Sequence, residues 1–405
     1  MNSSDVIYMD NQSTTRTDPR VVEAMLPCFT QEYGNPGSAH QHGETASDAV
    51  ERARAQIAAS LGAEPREIVF TSGATESNNL ALRGVAERCS RRTKQLRNHF
   101  VSVRTEHEAV LDPLRRLEER GCEVTLLDVE PHSSARAGWL DPQKVAEALR
   151  DETALVSVML ANNEIGIVQP LAEISEICRR RGVLLHCDAT QAVGKLPVNV
   201  QELGVDLMSC TAHKIYGPKG VGALYMRRRD PIVRLEPQIT GGGQQEGRRS
   251  GTLNTAGIVG FAKALELCLA EMNEEATRLS ELRDQLWHGL SDRLSGIRLN
   301  GPAAAETDTS GGSLRLPGNL NLALGDVDGE ALLLAMENLA ISTGATCAST
   351  DPGPSHVLLA LGMSDDSARS SLRFGLGRFN TSEEVELTVE MVASSVARLR
   401  EFAQK

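Results

Sequence analysis

The sequence is poor in aromatic residues, which make up 3 % of its 405 positions. Proteins that bind single-stranded nucleic acid stack bases on aromatic side chains, so this scarcity argues against such a role. Positive charge is also scarce, with 42 Lys and Arg against 54 Asp and Glu and a formal net charge of −12. That balance disfavours nucleic-acid backbones and anionic membranes as main partners, although it leaves room for a local basic surface. We therefore expect no direct contact with nucleic acid.

Long apolar runs and closely paired cysteines are missing as well. No stretch approaches the roughly 18 apolar residues that a membrane helix needs, and the opening MNSSDVIYMDNQST lacks the basic and apolar segments of a secretory signal. None of the eight cysteines forms a C-x-x-C pair, which argues against a zinc ribbon or a thioredoxin motif. We expect free thiols in a reducing compartment, and hence a cytoplasmic protein without membrane contact.

From about residue 45 to 240, short apolar runs alternate with amphipathic segments. The run HFVSV (99–103) precedes EHEAVLDPLRRLEERG, and TALVSVML (153–160) precedes LAEISEICRRRG. Buried strands that alternate with helices predict a mainly parallel sheet flanked by helices. In such sheets, ligands bind beyond the carboxyl ends of the strands.

The pattern changes after about residue 255. Residues 255–293 read as one or two long helices, and residues 301–313 as a flexible loop. The segments LNLAL, GEALLLAMENLA and SLRFGLGRF then predict a smaller α+β unit. Because the chain is longer than one ordinary domain, we expect a large domain over 15–260 and a small domain over 261–405, joined by residues 1–14.

Two charged residues lie at the predicted strand ends. Lys214, in TAHKIYGPKG, could form a Schiff base if it lies in a site, whereas a solvated surface lysine is the ordinary alternative. Asp188, in LLHCDATQ, could pair with the protonated ring nitrogen of pyridoxal phosphate or simply cap the next helix. Gln191 follows within reach of the same place.

Three further motifs follow other strands. FTSGATESNN (70–79) reads as a strand, a glycine turn and a helix start, where backbone N–H groups and Thr75 could bind phosphate, or where a plain N-cap could stand. His107, in RTEHEAV, could stack on a flat ring and exchange protons, or be structural. Asn163, in LANNEIG, could donate to a phenolate oxygen or be satisfied within its loop.

These residues are expected at one edge of the sheet. The carboxyl ends of parallel strands meet there, and together the side chains offer a phosphate cup, a stacking ring, an acidic partner and an amine. The combination points to one pyridoxal phosphate site built from Thr75, His107, Asn163, Asp188, Gln191 and Lys214.

Cys347 lies in ISTGATCAST (341–350), a loop-like segment of small polar residues. Cysteine is usually buried, so this thiol is either incidental or functional. Functional residues are concentrated on loops, which keeps a role in chemistry open.

Ten motifs, in their order along about residues 7–380, closely resemble the cysteine desulfurases, which form part of the class V branch of the fold-type I pyridoxal phosphate enzymes. The resemblance implies a large domain with a mainly parallel seven-stranded sheet and a smaller α+β C-terminal domain. The motifs are MDNQSTT, YGNPGSAH, FTSGATESNNLAL, TEHEAVL, ANNEIGIVQP, HCDATQAVGK, HKIYGPKGVGALY, GGGQQEGRRSGT, GATCAS and LRFGLGRF.

The resemblance implies a role for each matching position. Catalysis falls to Lys214, which forms the Schiff base, to His107, which moves protons, and to Cys347, which accepts sulfur. Thr252 is implied to reach the cofactor phosphate of a neighbouring subunit in an obligate homodimer. The substrate carboxylate is assigned to Asn35, Asn163 and Arg373. The cofactor-binding residues of one chain are Ala74, Thr75, His107, Asn163, Asp188, Gln191, Thr211, His213 and Lys214.

The implied activity converts L-cysteine to L-alanine and passes sulfur through a Cys347 persulfide to an acceptor such as an iron–sulfur scaffold. No metal site is implied, except that Cys347 could transiently ligate an iron–sulfur cluster. Two departures stand out: Thr211 replaces a frequent Ser but keeps the hydroxyl, and GATCASTDPG replaces GSACTSAS with its following acidic residue. Because the Cys347 loop differs from that of close relatives, the sequence does not identify the protein that accepts the sulfur. Selenocysteine lyase, or a cofactor-binding scaffold for a sulfur-acceptor partner, remain alternatives.

Overall fold

The strands and helices of the protein come from a computed structural model that describes residues 6–90, 97–303, 306–307, 312–343 and 353–403. The strands are β1 (Ile7–Tyr8), β2 (Ile68–Thr71), β3 (His99–Val103), β4 (Glu123–Leu127), β5 (Thr153–Ser157), β6 (Leu184–Asp188), β7 (Leu207–Thr211), β8 (Gly222–Met226), β9 (Arg298–Leu299), β10 (Asn319–Ala323), β11 (Leu339–Ala340) and β12 (Ser371–Gly375). The helices are α1 (Pro19–Met25), α2 (Pro27–Thr30), α3 (Gln41–Ser60), α4 (Ala74–Ser90), α5 (Glu108–Glu118), α6 (Pro142–Ala148), α7 (Leu171–Arg180), α8 (Val200–Leu203), α9 (Thr255–Ser291), α10 (Gly329–Leu334), α11 (His356–Ala360), α12 (Asp365–Arg369) and α13 (Ser382–Ala403).

The large sheet has seven strands in the order β2-β8-β7-β6-β5-β3-β4. Strands β3 to β7 pair in parallel, and β8 runs antiparallel to both of its neighbours. Every residue of β3 and β5 is buried, as expected for strands that have helices over both faces. The prediction of a mainly parallel, seven-stranded sheet is confirmed.

This topology places five strand ends together. Strands β2, β3, β5, β6 and β7 point in one direction, because β2 and β7 both pair antiparallel with β8. The turns that follow them therefore open at one edge of the sheet, where ligands bind in folds of this type.

Helix α9 is one continuous helix of 37 residues, which resolves the choice between one and two helices. Asn254 caps its start, because its side-chain oxygen accepts the Gly257 N–H over 3.0 Å. Cys268 in the first part of the helix packs with the core of the large sheet, whereas Leu279 belongs to a second core with the three-stranded β12-β10-β9 sheet. The predicted boundary at 260/261 falls inside this helix, and the division into two domains stays a prediction.

The N-terminal segment joins the smaller core. Strand β1 pairs in parallel with β11, with Ile7 opposite Leu339, and Met9 is fully buried in the second core. Within the ranges that the structure describes, no helix has the length and apolar character needed to cross a membrane.

Candidate active site

A cavity of about 530 Å³ opens at the carboxyl edge of the large sheet. The turns after β2, β3, β5, β6 and β7 all contribute to its lining. It brings together nine residues predicted to hold the cofactor: Ala74, Thr75, His107, Asn163, Asp188, Gln191, Thr211, His213 and Lys214.

Helix α4 points its first turn into this cavity. The helix begins at Ala74 directly after Gly73, which has a φ of +154° and lines the cavity with Thr75. A Cβ on Gly222 would lie 2.7 Å from Gly73 Cα, so the turn packs this close only because residue 222 is glycine. The first backbone N–H groups of a helix lack intrahelical acceptors and favour an anion. This part of the cavity suits a phosphate group.

His213 and Thr211 line the same cavity, and Thr211 Oγ1 would lie 3.7 Å from a Cβ on Gly73. Burial, with smaller contributions from the positive charges of Lys214, Lys219 and Lys195, lowers the pKa of His213 to about 4. His213 Nδ1 also lies 3.2 Å from the Thr14 hydroxyl. A neutral imidazole and a threonine hydroxyl can both donate hydrogen bonds to an oxyanion.

Asp188 ends β6 and is held as a buried carboxylate. Asn78 Nδ2 donates to Asp188 Oδ2 over 2.7 Å, and the Thr190 N–H donates to Oδ1 over 2.9 Å. Glu106 lies behind it and is fully buried. Desolvation, followed by the charge of Asp188, raises the pKa of Glu106 well above its usual value.

Lys214 follows β7 in a short 3-10 turn, Ala212–Lys214. Its Nζ donates to the backbone carbonyl of Gln12 over 2.5 Å and to that of Ser13 over 2.6 Å. The N-terminal segment thus holds the amine inside the cavity through neutral acceptors, where it can reach an aldehyde.

His107 is the N-cap of α5. Its Nδ1 accepts the Ala109 N–H over 3.0 Å, so in the neutral ring the proton lies on Nε2. Burial lowers the pKa of His107; the charges of Lys214 and His356 add to this effect, whereas those of Asp188 and Glu108 oppose it. The imidazole is therefore neutral at physiological pH, and its Nε2–H is the group that can take part in proton transfer.

Arg373 lies on β12 with its side chain 1 % exposed. Its Nη2 donates to Asp10 Oδ1 over 2.9 Å and to Ser13 Oγ over 2.7 Å, and its Nη1 donates to the Asn163 carbonyl over 3.1 Å. The buried Nε has no acceptor among the described residues. Arg373 is not among the residues that line the cavity, but it contacts Ser13 and Asn163, which are. Its role toward the substrate carboxylate stays a prediction.

Comparison with known proteins decides the family. A family model described as aminotransferase class-V matches residues 7–388. The cysteine desulfurase IscS of Anaeromyxobacter dehalogenans strain 2CP-C is 50 % identical over 398 residues, which cover 98 % of this chain and 94 % of that protein. The chain belongs to the cysteine desulfurase family. The resemblance carried by the ten motifs is confirmed.

Solved structures of related proteins share the fold. A structure titled NifS-like protein superposes with a TM-score of 0.87 and 35 % identity, over 97 % of this chain and 100 % of that chain. A structure titled SspA in complex with cysteine superposes with a TM-score of 0.77 and 32 % identity, over 92 % of this chain and 99 % of that chain.

Pyridoxal phosphate is the cofactor of the cysteine desulfurase family, and the cavity of this family member fits it. The α4 N-terminus would hold the phosphate, Lys214 would supply the amine, and Asp188 would supply the carboxylate for the ring nitrogen. His107 lines the same cavity and offers a flat ring.

Asn35 and Thr252, which were predicted to contact substrate and cofactor, do not line the main cavity of this desulfurase. Asn35 and Thr252 line a separate cavity of about 360 Å³, together with Arg54 and Arg248. Within one chain Asn35 therefore does not share the main cavity with Asn163, and its role toward the substrate carboxylate stays a prediction. Cys347 lies outside the described residues, so its predicted role as sulfur acceptor also stays a prediction.

Several residues of the site escaped the sequence analysis. Asn78 holds Asp188 from one turn inside α4, and the Gln12 and Ser13 carbonyls hold Lys214. Asp10 holds Arg373. Asn78 lies within the motif FTSGATESNN, and Asp10, Gln12 and Ser13 lie within MDNQSTT. The sequence analysis quoted both motifs but gave these residues no role.

Proposed function

We propose that this chain is a cysteine desulfurase that converts L-cysteine to L-alanine and transfers the sulfur to Cys347 as a persulfide. One observation carries the proposal: Lys214, His107 and Asp188 line one cavity in a chain of this family. Bound in that cavity, pyridoxal phosphate supplies an electron sink for the substrate carbons.

Arg373 would bind the substrate carboxylate. The Asp10, Ser13 and Asn163 contacts fix the guanidinium plane, so little conformational freedom is lost when a carboxylate pairs with it. Such a pair would orient the cysteine with its amino group toward Lys214.

His107 and Lys214 would move the protons. In the neutral His107 ring Nδ1 accepts the Ala109 N–H, so the proton on Nε2 would be the one that His107 exchanges with the substrate. The Lys214 amine, held at the Gln12 and Ser13 carbonyls, would act as base at the substrate α-carbon once the substrate has displaced it from the cofactor.

The sulfur transfer needs a thiolate. The Cys347 thiolate would attack the substrate sulfur, forming a sulfur–sulfur bond as the carbon–sulfur bond breaks. The electron pair of that bond stays with the substrate carbon, which then takes up a proton to become the methyl group of alanine. No external oxidant is required, because the carbon is reduced as the sulfur is oxidised.

We propose a homodimer as the active unit. Thr252 and Asn35 lie away from the main cavity of their own chain, so a second copy could place Thr252 against the other cofactor phosphate. Leu26, Phe29 and Tyr33 are 57 %, 61 % and 63 % exposed around α2, which is apolar surface that a partner copy would cover. Dilution to monomers should then release the cofactor, and a fully active monomer would refute the proposal.

The acceptor and the location are further proposals. We propose delivery of sulfur to an acceptor protein, with an iron–sulfur scaffold as the first candidate, because the 50 % identical relative carries the name IscS. The thiols of Cys178, Cys187, Cys210 and Cys268 are buried in the core, which supports a reducing, cytoplasmic location.

The test is to incubate the purified protein with L-cysteine and with selenocysteine, and to measure alanine, sulfide and selenide under reducing conditions. Equimolar alanine and sulfide from cysteine support the desulfurase. Turnover of selenocysteine only would identify a selenocysteine lyase instead. Cofactor binding without turnover of either substrate would leave a scaffold for a sulfur-acceptor partner.

A further inference from the structure

A second lysine lies directly behind the cofactor cavity. Lys195 Nζ donates to Gln191 Oε1 over 2.8 Å, and this is its hydrogen-bond acceptor in the part of the chain that the structure describes. Lys195 is partly buried and lines a small cavity of about 30 Å³ together with Gln12 and Glu275. Lys195 does not line the main cavity, whereas Gln12 lines both. The roles derived above do not use it.

The local backbone directs Lys195 toward Gln191. The two residues are four positions apart in a turn closed by hydrogen bonds from the Val193 N–H to the Ala189 carbonyl and from the Lys195 N–H to the Ala192 carbonyl. Gly194 has a φ of +75°, and a Cβ there would lie 2.8 Å from Ile215. Glycine is therefore required for the turn to pack as it does.

Lys195 and the Gln12 carbonyl together fix which way the Gln191 amide faces. The oxygen and nitrogen of a glutamine amide are nearly equal in size, so its orientation depends on its partners. A lysine ammonium has only donors, so Gln191 must turn Oε1 toward it. The amide nitrogen is thereby directed the other way, where Nε2 donates to the Gln12 carbonyl over 2.8 Å.

The Gln191 nitrogen carries two hydrogens, and Gln12 uses one of them. The same Gln12 carbonyl accepts Lys214 Nζ, so the amide nitrogen lies on the Lys214 side of Gln191. Gln191 also lines the main cavity. The second N–H is therefore available to a ligand in that cavity.

Burying this amine costs free energy. Burial lowers the pKa of Lys195 to about 7, the nearby charges of Lys214 and Arg373 contribute to the lowering, and Glu275 opposes it. A buried cation without a carboxylate in hydrogen-bond contact is unfavourable unless it makes another interaction. The contact with Gln191 is the interaction that the structure provides.

We propose that Lys195 is a positioning residue that orients the Gln191 amide, so that its N–H donates to the ring oxygen of the cofactor. The inference deepens the proposed function and depends on the proposed place of the cofactor beside Gln191. A donated N–H stabilises negative charge on that oxygen. It therefore favours the cofactor form that has one proton fewer.

The test uses the enzyme loaded with pyridoxal phosphate and without substrate. The visible absorption of the bound cofactor is titrated between pH 6 and 10 for the wild type, Lys195→Met, Lys195→Arg, Gln191→Glu and the surface control Lys263→Met. We expect the midpoint to move upward by at least about 0.5 pH unit in Lys195→Met and Gln191→Glu, since each loses the oriented N–H. Lys195→Arg should restore the wild-type midpoint, and Lys263→Met should not change it.

An unchanged midpoint in a cofactor-loaded Lys195→Met would overturn the inference, as would the same upward shift in Lys263→Met. If Lys195→Met does not bind cofactor, Lys195→Leu decides by the same criterion, because it also removes the donor to Gln191. A wild type without any pH-dependent cofactor band would instead contradict the proposed function.

Discussion

Asn78 Nδ2 donates to Asp188 Oδ2 over 2.7 Å, and this hydrogen bond ties the second turn of α4 to the end of β6. Both side chains are buried. Because the N-terminus of α4 also faces the cavity, one helix would set the place of the cofactor phosphate and the orientation of the carboxylate for its ring nitrogen. A movement of α4 would therefore change the phosphate contact and the Asn78–Asp188 hydrogen bond together.

Replacing Asn78 with Ala should weaken cofactor binding. Asp188 would lose a charge-assisted hydrogen bond, and a loss of about 1.4 kcal/mol corresponds to a roughly tenfold rise in the dissociation constant. Fluorescence titration of the apoenzyme with pyridoxal phosphate measures this dissociation constant. The neighbouring Asn79→Ala is the matched control, because Asn79 donates to the Thr75 carbonyl of its own helix. Equal affinity in wild type and Asn78→Ala would contradict the role.

Much of the fold and several site residues could be predicted, because short sequence patterns identify them. The strand HFVSV was predicted residue for residue, as β3, since short apolar runs alternating with amphipathic segments are typical of parallel sheets. Lys214 and Asp188 were found for a similar reason: a charged residue at the end of an apolar strand is conspicuous.

The remaining contacts could not be predicted from the sequence, for physical reasons. Lys214 is held by the backbone carbonyls of Gln12 and Ser13, about 200 positions away, and a carbonyl acceptor leaves no mark on residue type. Asn78 lies within a helix, where asparagine normally has no site-specific meaning. Asn35 matched a family motif, yet the tertiary structure places it in another cavity of the chain.

Replacing His107 with Asn should remove proton transfer while keeping the cap of α5. Asparagine is a good N-cap, so the melting temperature should change little, whereas kcat should fall by about 10²–10³-fold. The exposed His288→Asn is the control. A near-normal kcat in His107→Asn would exclude His107 as the proton carrier.

The pH profile of the wild type tests the same residue independently. Because burial lowers the pKa of His107 below the usual 6.5, the neutral ring persists at pH values where a solvated histidine is already charged. We expect kcat/KM to hold as the pH falls through 6.5 and to decline only at lower pH. A decline centred at or above 6.5 would contradict a neutral, buried imidazole at this position.

Replacing Arg373 with Lys should impair substrate binding. Lysine keeps the charge but lacks the planar group that contacts Asp10, Ser13 and the Asn163 carbonyl. We expect kcat/KM for cysteine to fall about 10–100-fold with unchanged cofactor content. Arg298→Lys, on exposed β9 of the same small sheet, is the control. An unchanged KM would place the substrate carboxylate elsewhere.

Replacing Cys347 with Ala should separate sulfur from selenium chemistry. Loss of a covalent nucleophile should lower alanine formation from cysteine by at least about 10²-fold. Selenium departs with less help, because a carbon–selenium bond is weaker than a carbon–sulfur bond, so activity on selenocysteine should remain measurable. The half-buried Cys122→Ala controls for loss of a thiol. Near-normal alanine formation from cysteine would make Cys347 incidental.

The most direct test of the central claim measures alanine released from L-cysteine by Lys214→Ala, with Lys263→Ala as a surface-lysine control. Lys214 is the amine held in the cavity beside Asp188 and His107, so its loss should reduce turnover by at least about 10³-fold. Lys263→Ala should match the wild type. Substantial alanine formation by Lys214→Ala, or borohydride labelling of another lysine in the wild type, would contradict the account.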